Sequence, residues 1–178
     1  MSQNQYLKVV NDHDEFDKIR GSIVFPKEDL SGFLLIGVQT EGKVKILEEC
    51  EFRSLPEAKK RVVAYKEKYR FLRCVYIRDI PENEGFGKYL EDIHCSEDYL
   101  FFLPAPFSEN EDFGIQLIGS YLADNKLLVP ENGVLAKQLQ AGWDSVQSAK
   151  VLHGILALGH LLSGMDYDNH PLHDMDLS

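Results

Sequence analysis

Hard divalent cations need several carboxylate oxygens at one point, and softer metals are held by histidines at short, regular spacing. This chain offers few residues grouped in either way. Asp79 stands just past a predicted strand, in the loop "RDIPENEGFG". Lys150, His153, Ala157 and His160 recur at spacings of three, four and three, which places them along one stripe of a helix. The plain reading of that stripe is a lysine at the solvent edge and two histidines on a helix margin. His170 and His173 lie among Asp166, Asp168, Asp174 and Asp176. HxxH beside acids is a transition-metal pattern, and the same composition makes a solvated acidic tail. At Phe25-Pro26 a short strand ends where many metal-dependent enzymes carry a carboxylate. An aromatic ring cannot coordinate magnesium, so no metal chemistry is expected there, and the residue reads as core before a turn.

Other chemistries are excluded more sharply. "EGFGKY" has a glycine and a lysine in the style of a phosphate loop, but Glu82 occupies the required glycine position and Tyr89 replaces Ser/Thr. No GxSxG is present, so there is no hydrolase elbow. His94 and Cys95 are adjacent with no third partner. The segment Arg53 to Arg73 is different: it holds eight lysines and arginines against Glu57 and Glu67. Lys59 and Lys66 are seven residues apart on a predicted helix, with Lys60 beside them, so the three could follow a phosphate backbone. The alternative is a solvated helix face.

The chain has 178 residues and a formal net charge of −10, with 44% hydrophobic and 27% charged residues. One globular domain is the expectation. The average field repels nucleic acid and anionic membranes, although a local basic patch can act against it. Three cysteines without CxxC spacing suggest free thiols in a reducing compartment rather than a disulfide framework or zinc knuckle. The N-terminus lacks an apolar signal region, and the most apolar run, Val151 to Leu162, is too short to span a bilayer. A cytoplasmic protein without membrane contact is expected.

The elements that would position these residues follow from periodicity. Residues 1–19 read as a leader. Ser22–Phe25, Phe33–Gln39 and Lys43–Glu49 read as strands, the last two joined by a hairpin at Thr40-Glu41-Gly42. Val44, Ile46 and Glu48 should then share one face. Ser54, Pro56 and Glu57 open a helix whose buried stripe is Leu55, Ala58, Val62, Tyr65 and Tyr69. Phe71–Ile77 and Tyr99–Leu103 read as buried strands, with a short helix near Gly87–Asp92 between them. "FGIQLIGSYLADN" reads as a helix and "KLLVP" as a brief strand. A final long helix should be capped by Asp144 with Gln147 and end at Gly164, leaving residues 165–178 as an acidic tail. This order predicts an α/β fold: a mixed sheet with three antiparallel strands, then parallel strands, flanked by helices over residues 20–164.

The same order resembles the nuclease domain of phage terminase large subunits, a branch of the ribonuclease H-like fold. "IVFPKEDLSGFLLIGVQTEGKVKILEECEF" is similar to that family's first three strands, "SLPEAKKRVVAYKEKY" to its first helix, and "RCVYIRDIPENEGFGKYLED" to its fourth strand and glycine loop. "GIQLIGSYLADNKLLVPENGVLAKQLQAGW" and "SAKVLHGILALGHLL" resemble its ending. The resemblance implies two-metal phosphodiester hydrolysis with Mg or Mn. It also implies that the ligand positions are degenerate. The first-strand position falls on Phe25, the fourth-strand position on Arg78 or Asp79, and the last-helix positions near Ala149, Lys150 and His153. Asp79 is the one carboxylate left, and Lys150 could supply a fixed charge that pairs with it. The expectation is a terminase-like domain of phage or prophage origin that does not cut and has no cofactor, with DNA or a phage packaging protein as partner. One rival is an active nuclease with relocated ligands, using Asp79 with Glu28, Asp29, Glu82 or Asp144. The other is a protein-interaction module unrelated to DNA.

Overall fold

The computed structural model describes residues 18–27, 30–77, 100–105, 111–150 and 152–168. In chain order the elements are β1 (Lys18–Val24), β2 (Gly32–Thr40), β3 (Lys43–Phe52), α1 (Leu55–Lys68), β4 (Leu72–Ile77), β5 (Phe101–Pro104), α2 (Glu111–Ala123), β6 (Leu127–Leu128), α3 (Val134–Ala141), α4 (Val146–Lys150) and α5 (His153–Asp168). Six strands form one sheet in the order β5-β4-β1-β2-β3-β6. β1, β2 and β3 pair antiparallel, and the β1–β4, β4–β5 and β3–β6 pairs are parallel. The expected mixed α/β sheet is therefore the one observed.

β2 is almost wholly apolar because both faces of the sheet are covered. Leu34, Ile36 and Val38 join the core under α1, with Ala58, Val62, Tyr65 and Leu72. Phe33 and Leu35 join the opposite core, built with Ile115 and Ile118 of α2, Leu135 of α3, Ala149 of α4, and Ile155, Leu158 and Leu161 of α5. Ser22 is fully buried on the α5 side, where its hydroxyl donates to the Ala157 carbonyl at 2.7 Å. The β2–β3 hairpin turns at Glu41 and Gly42, with φ of 52° and 77°. Two successive left-handed residues match the twist of a tight hairpin.

Two irregularities decide which side chains reach which face. Gly37 pairs with Ile46 but Ile36 pairs with Glu48, so Leu47 is an extra residue in β3. A one-residue bulge reverses the alternation beyond it. Val44 and Ile46 accordingly enter the α5-side core, whereas Cys50 and Phe52 pack on the α1 side. Glu48 also turns to the α1 side, where it meets Lys68, so the single-face expectation for Val44, Ile46 and Glu48 fails at the bulge. On β4, Ile19 pairs with Leu72 and Arg20 with Cys74, which leaves Arg73 as the extra, exposed residue.

The last helix also departs from expectation. It is split into α4 and α5 around residues 151–152. The cap is one residue later than predicted. Ser145 Oγ accepts from the Ser148 N–H at 3.2 Å, and Ser148 Oγ accepts from the Ser145 N–H at 3.0 Å, a reciprocal capping box. Gly164 does not end α5, which continues to Asp168, so the first four residues assigned to the tail are helical. Its role is contact: a Cβ there would overlap the ring of Tyr76. α3 had no counterpart in the periodicity. Its N-cap is Gly133, which has no side chain to offer, and Glu49 of β3 takes that role, accepting the Val134 N–H at 2.6 Å. Strand β1 starts at Lys18, inside the predicted leader. The helix expected near Gly87–Asp92 lies outside the described residues.

Candidate functional site

β1, β4 and β5 run parallel, so their C-terminal ends open at one edge of the sheet. The N-terminus of α5 meets that edge. His153 Nδ1 lies 2.5 Å from the carbonyl oxygen of Ser31, in the β1–β2 connection. A carbonyl only accepts, so the ring carries its proton on Nδ1 in this contact. Lys150, at the end of α4, places Nζ 2.8 Å from Asp112 Oδ1 in the first turn of α2. This ion pair is half-exposed. Asp112 was not singled out by the sequence, because its partner lies 38 positions away and only the folded sheet brings α2 and α4 together.

Phe25 is 4% exposed and belongs to the core under α1. Its neighbour Val24 belongs to the opposite core, shared with α5. Alternation along β1 therefore puts Phe25 across the sheet from α4 and α5. The structure brings Lys150 and His153 to one edge but does not bring Phe25 to their side. Nor do the two histidines form one site: His153 opens α5, while His160 is 5% exposed, within the helix. With α4 and α5 separate, the four-residue stripe does not lie along one helix.

The resemblance implies a two-metal centre at this edge. Among the described residues, no group of three His, Cys, Asp or Glu side chains could hold a metal. The side chains at the implied positions are a buried phenyl ring, an ammonium paired with Asp112, and an imidazole bound to a carbonyl. They do not fit a hard divalent ion. Asp79, Glu28, Asp29, Glu82, His170 and His173 lie outside the described residues. Asp144 is exposed ahead of α4.

No family model and no curated protein matches the chain. Solved structures do. The large terminase nuclease from thermophilic phage G20c with bound magnesium superposes with a TM-score of 0.62 at 12% identity, over 85% of this chain and 83% of that one. This chain has the fold of the terminase nuclease domains. The human cytomegalovirus terminase nuclease domain gives 0.57 at 7% identity, over 98% and 97% of the two chains. The yeast mitochondrial Holliday junction resolvase Ydc2 gives 0.55 at 13%, over 99% and 91%. The terminase-like, ribonuclease H-like architecture is thus shared, at identities that speak for the fold alone.

The predicted nucleic-acid contacts are rearranged in three dimensions. Lys60 is exposed on α1 and Lys59 is half-buried. Lys66 does not share their surface. It is 6% exposed, and its ammonium donates to the carbonyls of Arg70 at 3.0 Å and Leu72 at 2.7 Å. The reason is the tight exit from α1. Carbonyls released at a helix end need donors, and here the chain turns straight into a buried strand. Lys68 is also drawn inward. Its Nζ and the Tyr69 hydroxyl both donate to Glu48 Oε1, at 2.5 and 2.7 Å. The outward face of α1 then sets Lys60 and Arg61 against Glu57 and Glu67, all four exposed. The local excess of positive charge in the sequence is largely cancelled on the helix itself.

Burial also acts on nearby titrating groups. Desolvation, reinforced by the charges of Cys50 and Glu48, pushes the Tyr65 phenol up to about 12. The Cys50 thiol is raised by its own partial burial, against the lowering effect of Arg61. A groove of about 440 Å³ opens beside β3, lined by residues including Lys45, Glu48, Lys68, Tyr69, Leu128 and Pro130. It lies away from the strand-end edge, on the α1 side.

Proposed function

We propose that this chain is a terminase-nuclease-like protein of phage or prophage origin that has kept the fold and lost the metal chemistry, and that it contacts nucleic acid through phosphates. The observation that carries the loss is the pair of engaged groups at the strand-end edge. Lys150 is held by Asp112 and His153 by the Ser31 carbonyl, at positions where the resemblance calls for metal-binding acids. A lysine ammonium there repels a divalent cation.

Nucleic-acid contact is supported by the fold neighbours, which include a Holliday junction resolvase, and by the distribution of charge. The described residues carry sixteen lysines and arginines against thirteen aspartates and glutamates. The described residues are thus slightly cationic, and the acidity behind the whole chain's −10 is carried by the other residues.

The test is incubation of purified protein with plasmid and with single strands in Mg²⁺ or Mn²⁺, beside a binding titration at low salt. Binding without cutting is the expected result. Metal-dependent cleavage that persists through further purification and is lost in Asp79→Ala would replace this reading with that of an active nuclease. Failure to bind at low salt would favour a protein-interaction module.

A further inference from the structure

We infer that Glu49 is a positioning residue for the strand-end edge, acting through α3 and Gln138 on the first turn of α5. The inference goes beyond the functional reading above and holds whether or not the chain binds nucleic acid. It starts at the bulge in β3. Ahead of Leu47, Val44 and Ile46 point into the α5-side core and Lys45 points the other way. Without the extra residue, Glu49 would keep the parity of Lys45 and turn toward α1. The bulge reverses this. Glu48 meets Lys68 on the α1 side, Cys50 packs there, and Glu49 crosses to the side of α3. Its Oε1 accepts the Val134 N–H at 2.6 Å. Its Oε2 is buried and has no hydrogen-bond partner among the described residues, which leaves the carboxylate to the positive end of α3. Gly133 makes the room, since a Cβ there would overlap Oε1.

α3 passes this hold on. It has eight residues and a glycine N-cap, so it depends on support from outside itself. Leu135 anchors its first turn in the α5-side core. One turn further, Gln138 Oε1 accepts the Ile155 N–H at 3.2 Å. That donor needs an acceptor from another element. The ladder of α5 opens with the Leu156 N–H on the Leu152 carbonyl at 2.9 Å, and the Ile155 N–H stands ahead of it. Gly154 lets the amide approach, because a Cβ there would come within 2.6 Å of Gln138 Oε1. The same first turn carries His153, whose Nδ1 holds the Ser31 carbonyl at the edge. Three side chains, Glu49, Gln138 and His153, thus join β3, α3, α5 and the β1–β2 connection in series. Releasing Glu49 frays α3, withdraws Gln138 and loosens the turn that presents His153.

The test is amide hydrogen exchange of the full chain by NMR, with Val62 of α1, which is fully buried, as the reference for global stability. Glu49→Ala should speed exchange at Val134 and at Ile155 by about 2- to 30-fold relative to Val62, the range of a lost helix cap, and should move the imidazole signals of His153. Glu49→Gln keeps an acceptor oxygen and should stay closer to wild type than to Glu49→Ala at both amides. On a Gln138→Ala background, Glu49→Ala should change Ile155 by less than about twofold, because the link is already cut. If Glu49→Ala folds poorly, Gly133→Ala takes its place. The φ of −82° at Gly133 suits alanine, and the new Cβ displaces only the tip of the Glu49 side chain from Val134. It should likewise speed exchange at Ile155. Acceleration at Ile155 no greater than at Val62 overturns the inference. So does an unmoved His153, a Glu49→Gln variant that behaves as Glu49→Ala, or an effect that persists in full without Gln138.

Discussion

The inward turn of Lys66 makes the sequence-based and structure-based pictures give opposite results for one substitution. If Lys66 were a phosphate contact on an exposed helix face, Lys66→Met would weaken nucleic-acid binding and leave stability almost unchanged, since exposed charges contribute only tenths of a kcal/mol. In the structure its ammonium satisfies two carbonyl oxygens, of Arg70 and Leu72, at 3.0 and 2.7 Å. A hydrogen bond involving a charged group contributes about 1.5–3 kcal/mol. Methionine keeps most of the apolar stem, so the packing loss is small. Water can replace the bond to the half-buried Arg70 carbonyl more easily than the one to Leu72. A cost of about 2–4 kcal/mol is expected, which in a chain of this size lowers the melting temperature by roughly 4–16 °C. Urea denaturation of the wild type and Lys66→Met, followed by circular dichroism, measures the difference directly. Nucleic-acid affinity per folded molecule should not change. A variant within about 0.5 kcal/mol of wild type, or one that is stable but has lost binding, would show that the inward ammonium does not hold the exit of α1 together.

Two further perturbations test the packing and the electrostatics. Phe25→Ala should cost about 3–5 kcal/mol, the usual range for a buried phenylalanine, and Phe25→Asp should cost at least as much because its carboxylate would be buried without a partner; near-wild-type denaturation midpoints for both would remove Phe25 from the core. Tyr65, 8% exposed, has its phenol raised from 10.0 to about 12, so the unfolded chain loses this proton first as pH rises. Its contribution is intact below pH 10 and disappears as pH approaches about 12, a loss on the order of 2–3 kcal/mol. Tyr65→Phe should flatten that alkaline fall in stability, and an unchanged fall would assign it to other groups.

Much of the fold was legible because it depends on period and order. The apolar run of β2, the hairpin signal at Glu41-Gly42 and the Ser54-capped helix each follow from local chemistry, and the structure contains all three. What was not legible depended on one-residue events. A bulge at Leu47 leaves no mark in a pattern of alternating residues, yet it sends Glu48 toward Lys68 and Tyr69. The cap of α4 moved from Asp144 to Ser145 because Ser148 can return the hydrogen bond, a reciprocity that side-chain type alone does not rank. α3 escaped notice since its cap is a glutamate from another element.

The candidate site had the same difficulty with greater consequences. A resemblance read along the chain places Phe25, Lys150 and His153 at equivalent positions, but a chemical site requires that side chains converge. β1 alternates, so moving one residue from Phe25 to Val24 crosses the whole sheet. Charge obeys the same rule. Eight cations between Arg53 and Arg73 look like one basic surface in sequence. In space, Lys66 serves two carbonyls, Lys68 serves Glu48, and Lys60 and Arg61 face two glutamates, while Arg70, over the Phe71 ring, and Arg73 are exposed at the start of β4. A charge tract therefore bears on binding only through those members whose backbone position turns them outward and whose acidic neighbours are outnumbered. In this fold, the irregularity in β4 turns Arg73 outward, and the turn after α1 exposes Arg70 beside it.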